Sequence, residues 1–361
     1  MKFTLLAVGL IVCLTVSGQH LKPGFDKQEY IELMKVSAQF GDSSYRADLP
    51  VPPEYKLEYR SPIVGMANVW ELWMKNKDIA VISIRGTVGD PVSWMNNYYA
   101  AMVPAKGRLQ LDKKMIFNYD LADNPRAAVH VGWLVSTGFL SQTILPKIDS
   151  LYRSGIRDMI IMGHSQGGGI AYLLTAYLDH LQKNKSLPAD IRFKTYCSAG
   201  PKPGNLYFAY DYEVATQGGW AYNIVNAVDW VPETPVSIQI LDDYNYVNPF
   251  KHIKGFIKKQ KWPQRWALNY GYGRMNTPSR KAARNFRKYL GGYLSKSVKK
   301  HLKEFRSPEY YHSNDYVRTG AYIVLQPDDG YYKLFPQDEK TIFVNHFHSP
   351  YLYLAAKLEL K

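Results

Sequence analysis

The chain has 361 residues, 46% of them hydrophobic, and a formal net charge of +14. That composition can bury a full core, in one large domain or two modest ones. With only two cysteines, Cys13 and Cys197, a disulfide framework is excluded, and the excess charge is not spread out. From Lys251 to Tyr310 there are 17 Lys and Arg against two acids, Glu304 and Glu309, so the rest of the chain is close to neutral.

Residues 1–18 have a signal-peptide layout: Lys2, the apolar run Phe3 to Val16, then Ser17-Gly18 ahead of a cut before Gln19. The run is short for a spanning helix. The expectation is export of residues 19–361, as a secreted, periplasmic or envelope-associated protein with a bacterial-type signal. Cleavage removes Cys13 and leaves Cys197 as a core thiol in a strand.

Asp26-Lys27-Gln28-Glu29 has capping-box spacing and opens a predicted helix to about Phe40. Residues 48–53 read as a Pro-rich connector. Val69 to Met74 and Ile79 to Ile84 read as strands joined by a hairpin turn at Asn76-Lys77-Asp78. Residues 90–128 have no clear period and form a long excursion. Val131 to Leu151 regains helical spacing. Met159 to Met162 is a buried strand, Gly168 to Leu174 a helix, and Phe193 to Ser198 and Tyr222 to Val228 further strands. Strands alternating with helices predict an α/β fold with a mainly parallel sheet.

The basic stretch 251–310 reads as a helical insertion. Thr277-Pro278 has the pattern of a helix start, and Phe286, Tyr289, Leu290, Tyr293 and Leu294 follow at helical steps. Gly291-Gly292 is expected to bend that helix. Ala321 to Leu325 and Tyr331 to Leu334 around Asp328-Asp329-Gly330 read as a hairpin.

Gly163-His164-Ser165-Gln166-Gly167 is a G-x-S-x-G between a strand and a helix, the context of a nucleophile elbow. Ser165 needs a base, and the base needs an acid to orient it. Asp229 lies just past the strand ending at Val228 and is the preferred acid, with Asp242 and Asp243 as fallbacks. Of the later histidines, His252 and His301 fall in the basic stretch. His346 and His348 follow the apolar run Ile342-Phe343-Val344, and His312 lies between. Two residues apart in an extended segment, His346 and His348 face the same side, and His348 is favoured. Oxyanion donors are expected from the Gln166 backbone N–H and from Thr87, after Ile84-Arg85-Gly86.

Several segments together resemble the class 3 lipases, the fungal-lipase-like α/β-hydrolases. They are Ile82-Ser83-Ile84-Arg85-Gly86-Thr87 with Trp94, Val129-His130-Val131-Gly132-Trp133, the elbow, Ser198 to Asn205, and Val225 to Pro232. The resemblance implies an α/β-hydrolase fold in which Ser165 is the nucleophile, Asp229 the acid and His348 the base. Thr87 and Gln166 would form the oxyanion hole. It implies hydrolysis of lipid esters by a lipase, esterase or phospholipase through an acyl-enzyme, without metal or cofactor, and a structural, neutral His130. Two departures stand out. Gln166 occupies a position that is often Leu, and 119 residues separate Asp229 from His348.

The basic stretch lies in that gap. One reading is docking on an anionic membrane, with Trp262, Trp266, Tyr270 and Tyr272 at the interface. The other is a helix that packs its apolar stripe on the core and leaves Lys and Arg in water. Export and the neighbouring catalytic residues argue against nucleic acid as the partner. The rival to an esterase is a surface-binding protein on a hydrolase scaffold.

Overall fold

The computed structural model describes residues 20–359, so the expected signal segment 1–18 lies outside the described residues. Seven strands form one sheet: β1 (Tyr55–Arg60), β2 (Trp70–Lys75), β3 (Ile79–Ile84), β4 (Asp158–His164), β5 (Arg192–Ser198), β6 (Ala221–Asn226) and β7 (Ala321–Leu325). They lie side by side in chain order. β1 to β3 pair antiparallel. From β3 onward every pairing is parallel. This is the α/β-hydrolase arrangement expected from the alternation of strands and helices.

β4 is buried along its whole length, and its side chains divide between two cores. Met159 and Ile161 face the core built by the helices Val131–Arg153 and Gln166–Lys183. Ile160 and Met162 face the core built by the helices Lys27–Ser37 and His348–Lys357. The period of two in a strand makes this division automatic. It also explains why the strand reads as an unbroken apolar run.

Register sets the functional end. Ile84 of β3 stands beside Gly163 of β4, and His164 beside Ser198 of β5. The loops leaving β3 and β4 therefore emerge at one level on the carboxyl edge of the sheet, where ligands bind in open α/β folds.

The first helix has the predicted start, with the Asp26 carboxylate accepting the Glu29 N–H at 3.0 Å. The long excursion is ordered. It holds the helix Pro91–Tyr98, a ribbon pairing Met102–Pro104 with Ala128–His130, and a hairpin of Lys106–Gln110 with Ile116–Asp120. Strand β1 and the helix Leu206–Ala215 were not apparent in the pattern.

Three expectations are corrected. Thr277-Pro278 does not begin a helix: Gln264–Arg287 runs straight through it. Pro278 forfeits one backbone bond, and both residues are exposed, so its ring meets no packed neighbour. The hairpin at 321–334 is instead strand β7 followed by a helix, Asp329–Leu334. The Asp328 carboxylate caps that helix by accepting the Tyr331 N–H at 2.7 Å. The run Ile342-Phe343-Val344 is a turn, not a strand, closed by Val344 N–H to Thr341 O at 2.8 Å. Gly291-Gly292 does interrupt the helical pattern, as a π-turn over Lys288–Tyr293. There the Leu290 carbonyl accepts a hydrogen bond from Ala101 N–H at 3.2 Å, and a side chain at 291 would press on Ala101 and Tyr310.

Candidate active site

Ser165 sits between β4 and its helix at φ 61°, ψ −129°, a backbone region costly for any residue with a side chain. Such strain persists only where the surroundings enforce it. Here Ser165 N–H is held by Ser198 O at 2.9 Å, and Ser165 O accepts from Gly169 N–H at 3.1 Å. The two motif glycines permit the turn. A side chain at Gly163 would run into the Gly167 carbonyl, and one at Gly167 into the Ile84 carbonyl. The elbow and the end of β3 are therefore in backbone contact.

That contact brings up the next loop. A methyl at Gly86 would lie 2.9 Å from the His164 carbonyl oxygen and 3.4 Å from Ser165 Cβ, so the loop after β3 passes directly over the elbow at Gly86. Gln166 opens the helix, where a backbone N–H has no intrahelical acceptor. Its side chain is buried and turned away from the serine: Gln166 Nε2 donates to Ser93 O and to Asn97 Oδ1, each at 2.9 Å. Asn97 is a hub. Its Nδ2 donates to Thr87 Oγ1 at 2.9 Å, its Oδ1 also accepts from Trp133 Nε1 at 3.1 Å, and its carbonyl bonds His130 Nε2 at 3.1 Å. The sequence pattern carried no signal for Asn97. The hydrogen-bonding need of a buried glutamine at position 166 was the only available clue.

Asp229 is buried just past β6, turned by its own N–H bonding to Asn226 O at 3.0 Å. Its Oδ1 accepts Val231 N–H at 3.0 Å. Its Oδ2 accepts from His346 Nδ1 and from Tyr351 Oη, both at 2.7 Å. A buried carboxylate is costly unless satisfied, and these three donors satisfy it. The expectation of His348 at this position is therefore corrected: the ring on Asp229 is that of His346. The two histidines diverge because a helix begins at His348, so the segment is not extended.

His348 is fully engaged elsewhere. Its backbone N–H donates to Tyr45 Oη at 3.2 Å, so the Tyr45 hydroxyl donates in turn to His348 Nδ1 at 2.8 Å. Nε2–H is then left to donate to Ser37 Oγ at 3.2 Å. Both ring nitrogens are used, and burial together with His346 lowers the ring's pKa to about 3.

His346 is fixed from both sides. Asn226 Nδ2 donates to the neighbouring Asn345 carbonyl at 3.0 Å, and His346 N–H to Phe343 O at 2.9 Å. The His346 carbonyl takes a hydrogen bond from His164 Nε2 at 2.7 Å, which ties this turn to the residue before Ser165. A carbonyl can only accept, so His164 carries its proton on Nε2 and accepts at Nδ1 from Ser198 Oγ at 3.0 Å. Ser198 Oγ then accepts from Tyr30 Oη at 2.8 Å. Burial, with His348 and His346 close by, holds His164 well below the usual imidazole range, so it stays neutral beside His346.

His130 has the structural environment that the resemblance implied. It is buried, stacked on Trp133 with ring centroids 3.8 Å apart, and lowered by burial to about 3. Arg85 holds its loop through a bond to Ala67 O at 2.8 Å. Asp242 lies instead in an ion pair with Arg280 at 2.6 Å, and Asp243 bonds the Ile240 N–H at 2.8 Å. Cys197 is a buried free thiol whose pKa burial raises. Among the described residues no cluster of His, Cys, Asp or Glu could hold a metal ion.

An apolar cavity of about 280 Å³ abuts the site, toward the small end for ligand pockets. It is lined by Gln166, Asn97, Trp94, Tyr98, Trp230 and Phe343. Phe286 and Leu290, from the basic stretch, help to close it.

A mainly parallel sheet flanked by helices, with a strained serine at its carboxyl edge, is the α/β-hydrolase fold. Residues 81–238 match the family described as lipase (class 3). Similar solved structures include three fungal enzymes. The Rhizomucor miehei triacylglyceride lipase is 18% identical, with 59% of this chain and 77% of that one covered and a TM-score of 0.42. Lipase II from Rhizopus niveus is 20% identical over 58% and 74% of the two chains, also with a TM-score of 0.42. The lipase from Rhizopus microsporus var. chinensis is 20% identical over 58% and 69%, with the same TM-score. No curated protein matches the chain.

Proposed function

We propose that the protein is an exported lipase that cleaves carboxylic esters of lipids with Ser165 as nucleophile, His346 as base and Asp229 as the orienting acid. The observation that carries this reading is the buried Asp229–His346 pair, 2.7 Å apart, on a turn bonded to the residue preceding the strained Ser165. With Nδ1–H given to Asp229, His346 presents Nε2 as the proton acceptor.

Ser165 Oγ attacks the ester carbonyl carbon while His346 Nε2 takes its proton. The carbonyl electrons move onto oxygen, where the backbone N–H groups of Gln166 and Thr87 receive the charge. When the tetrahedral species collapses, the C–O bond to the alcohol breaks and His346 returns the proton to the leaving oxygen. Water, deprotonated by His346, then releases the acid from Ser165. Asp229 stabilises the imidazolium at both stages, and neutral His164 and His348 add no repulsion. The apolar cavity beside Gln166 suits an acyl chain. The signal-peptide layout of residues 1–18 supports export. Among the described residues no helix is long and apolar enough to cross a membrane.

The test is labelling with a fluorophosphonate probe and hydrolysis of p-nitrophenyl esters. The parent protein should label at Ser165 and turn over ester, and Ser165→Ala should do neither while unfolding at the same urea concentration. Turnover retained in Ser165→Ala, or a folded parent that takes no label, overturns the proposal and favours a binding protein on a hydrolase scaffold.

A further inference from the structure

The helix Gln264–Arg287 has two faces with different business. Ala283 is buried on one face and Phe286 lines the apolar cavity. The opposite face is exposed along its length. Trp266, Tyr270, Arg274, Thr277, Lys281 and Arg284 are all exposed and, at 100° per residue, fall within an arc of about 80°. Every residue from Lys261 to Tyr270 is exposed, so the leading turns of this helix project from the protein.

The aromatic residues at that end need an explanation. Trp262 is 78% exposed, Trp266 63% and Met275 72%. Trp266 stacks on Tyr270, one turn away, with ring centroids 5.7 Å apart. A helix that merely packs its apolar stripe on the core accounts for Lys and Arg in water. It does not account for two tryptophans there, because contiguous exposed apolar surface marks an interaction site. The charge around them has one sign. No Asp or Glu occurs from Tyr244 to Lys303, while Lys258, Lys259, Lys261 and Arg265 surround the tryptophans.

We propose that this helix docks the protein on an anionic membrane surface, with Trp262, Trp266 and Tyr270 seated at the headgroup boundary and the cations against lipid phosphates. Cationic helices with aromatic residues on the same exposed face bind in this way. The segment lies outside the matched family region of residues 81–238. The same helix forms part of the cavity wall through Phe286, so the docking element and the site that would take lipid share one helix. The surface binding itself does not depend on the ester-hydrolase reading, which supplies only its purpose.

The test uses full-length Ser165→Ala, which separates binding from turnover. Its flotation with vesicles is compared between phosphatidylcholine alone and phosphatidylcholine mixed with phosphatidylglycerol, at low and high salt. Each surface cation contributes roughly five-fold to partitioning. Reversing Lys258, Lys259, Lys261 and Arg265 to Glu should therefore weaken binding to the anionic vesicles at least about 100-fold, by the same principle. Trp262→Ala with Trp266→Ala should weaken it independently, and high salt should weaken the parent. Unchanged urea midpoints establish that the variants fold, and in the Ser165 background they should hydrolyse soluble short esters as the parent does. Equal binding to the two vesicle types, variants that bind like the parent, or no vesicle binding alongside tight binding to duplex DNA would each overturn the proposal. Loss of ester hydrolysis alone would count only against the catalytic reading.

Discussion

Replacing His346 and His348 in turn separates a base from a packed ring. His346→Ala removes the proposed proton acceptor for Ser165 and leaves the Asp229 carboxylate with two donors instead of three. Loss of a triad histidine costs on the order of 10⁵–10⁶ in kcat, or about 7–8 kcal/mol of transition-state stabilisation. His348→Ala removes the acceptor of the Tyr45 hydroxyl proton and the donor to Ser37 Oγ, while the backbone N–H at 348 can still donate to Tyr45 Oη. Each orphaned buried group costs about 1–3 kcal/mol, and the emptied ring volume adds to that, for a total of about 3–5 kcal/mol. The expected result is a clean exchange. His346→Ala loses turnover and keeps most of its stability, whereas His348→Ala loses stability and keeps kcat within about tenfold. Where His348→Ala fails to fold, His348→Gln keeps a hydrogen-bonding group and carries the comparison. The assays are p-nitrophenyl ester hydrolysis and urea unfolding. A His348 variant that unfolds like the parent yet is as inactive as His346→Ala would refute the assignment.

Three further outcomes follow from the same geometry. Asn97→Ala breaks the links to Thr87, Gln166 and Trp133, and should lower kcat about 10–100-fold with a smaller change in KM, as expected for loosened oxyanion donors; unchanged kcat would show that the hub does not position them. Gly167→Ala forces a methyl against the Ile84 carbonyl and should destabilise by about 3 kcal/mol or more, read as a fall in the urea midpoint, with an unchanged midpoint counting against the close approach. Stability should also fall with acidity. His130 and His348 have native pKa values of about 3, while the unfolded chain takes up their protons near 6.5. The unfolded state binds more protons between those values, so the stabilising contribution is complete above about pH 6.5 and is lost as the pH drops toward 3. Urea midpoints should decline over that window, and less steeply in His348→Gln; equal slopes would refute the contribution of His348.

Much of the catalytic core was legible in the residues because local backbone chemistry dictates it. The elbow needs glycines at 163 and 167, β4 needs a two-sided apolar run, and β3 must end beside it. His348 rather than His346 was expected on Asp229 because the two differ only in what lies C-terminal to them. A helix start at position 348 is set by packing of Tyr351 and Leu354 onto the second core, not by local pattern. The 90–128 excursion was opaque for a related reason. Its short strands pair with one another, and three-residue ladders such as 102–104 carry no detectable period. Thr277-Pro278 misled because a local start signal was overridden by a helix already under way.

The single amide of Asn97 lines the cavity and also bonds Thr87 and Gln166, the proposed oxyanion donors. Filling the cavity and readying the loop are therefore linked events, with a coupling free energy that is reciprocal. On the proposed reading, an acyl chain long enough to press on Asn97 would change the poise of Thr87, and a shorter one would leave it untouched. Chain-length preference in this protein should thus be written in turnover as well as in affinity, and truncating the substrate should forfeit rate that no increase in its concentration restores.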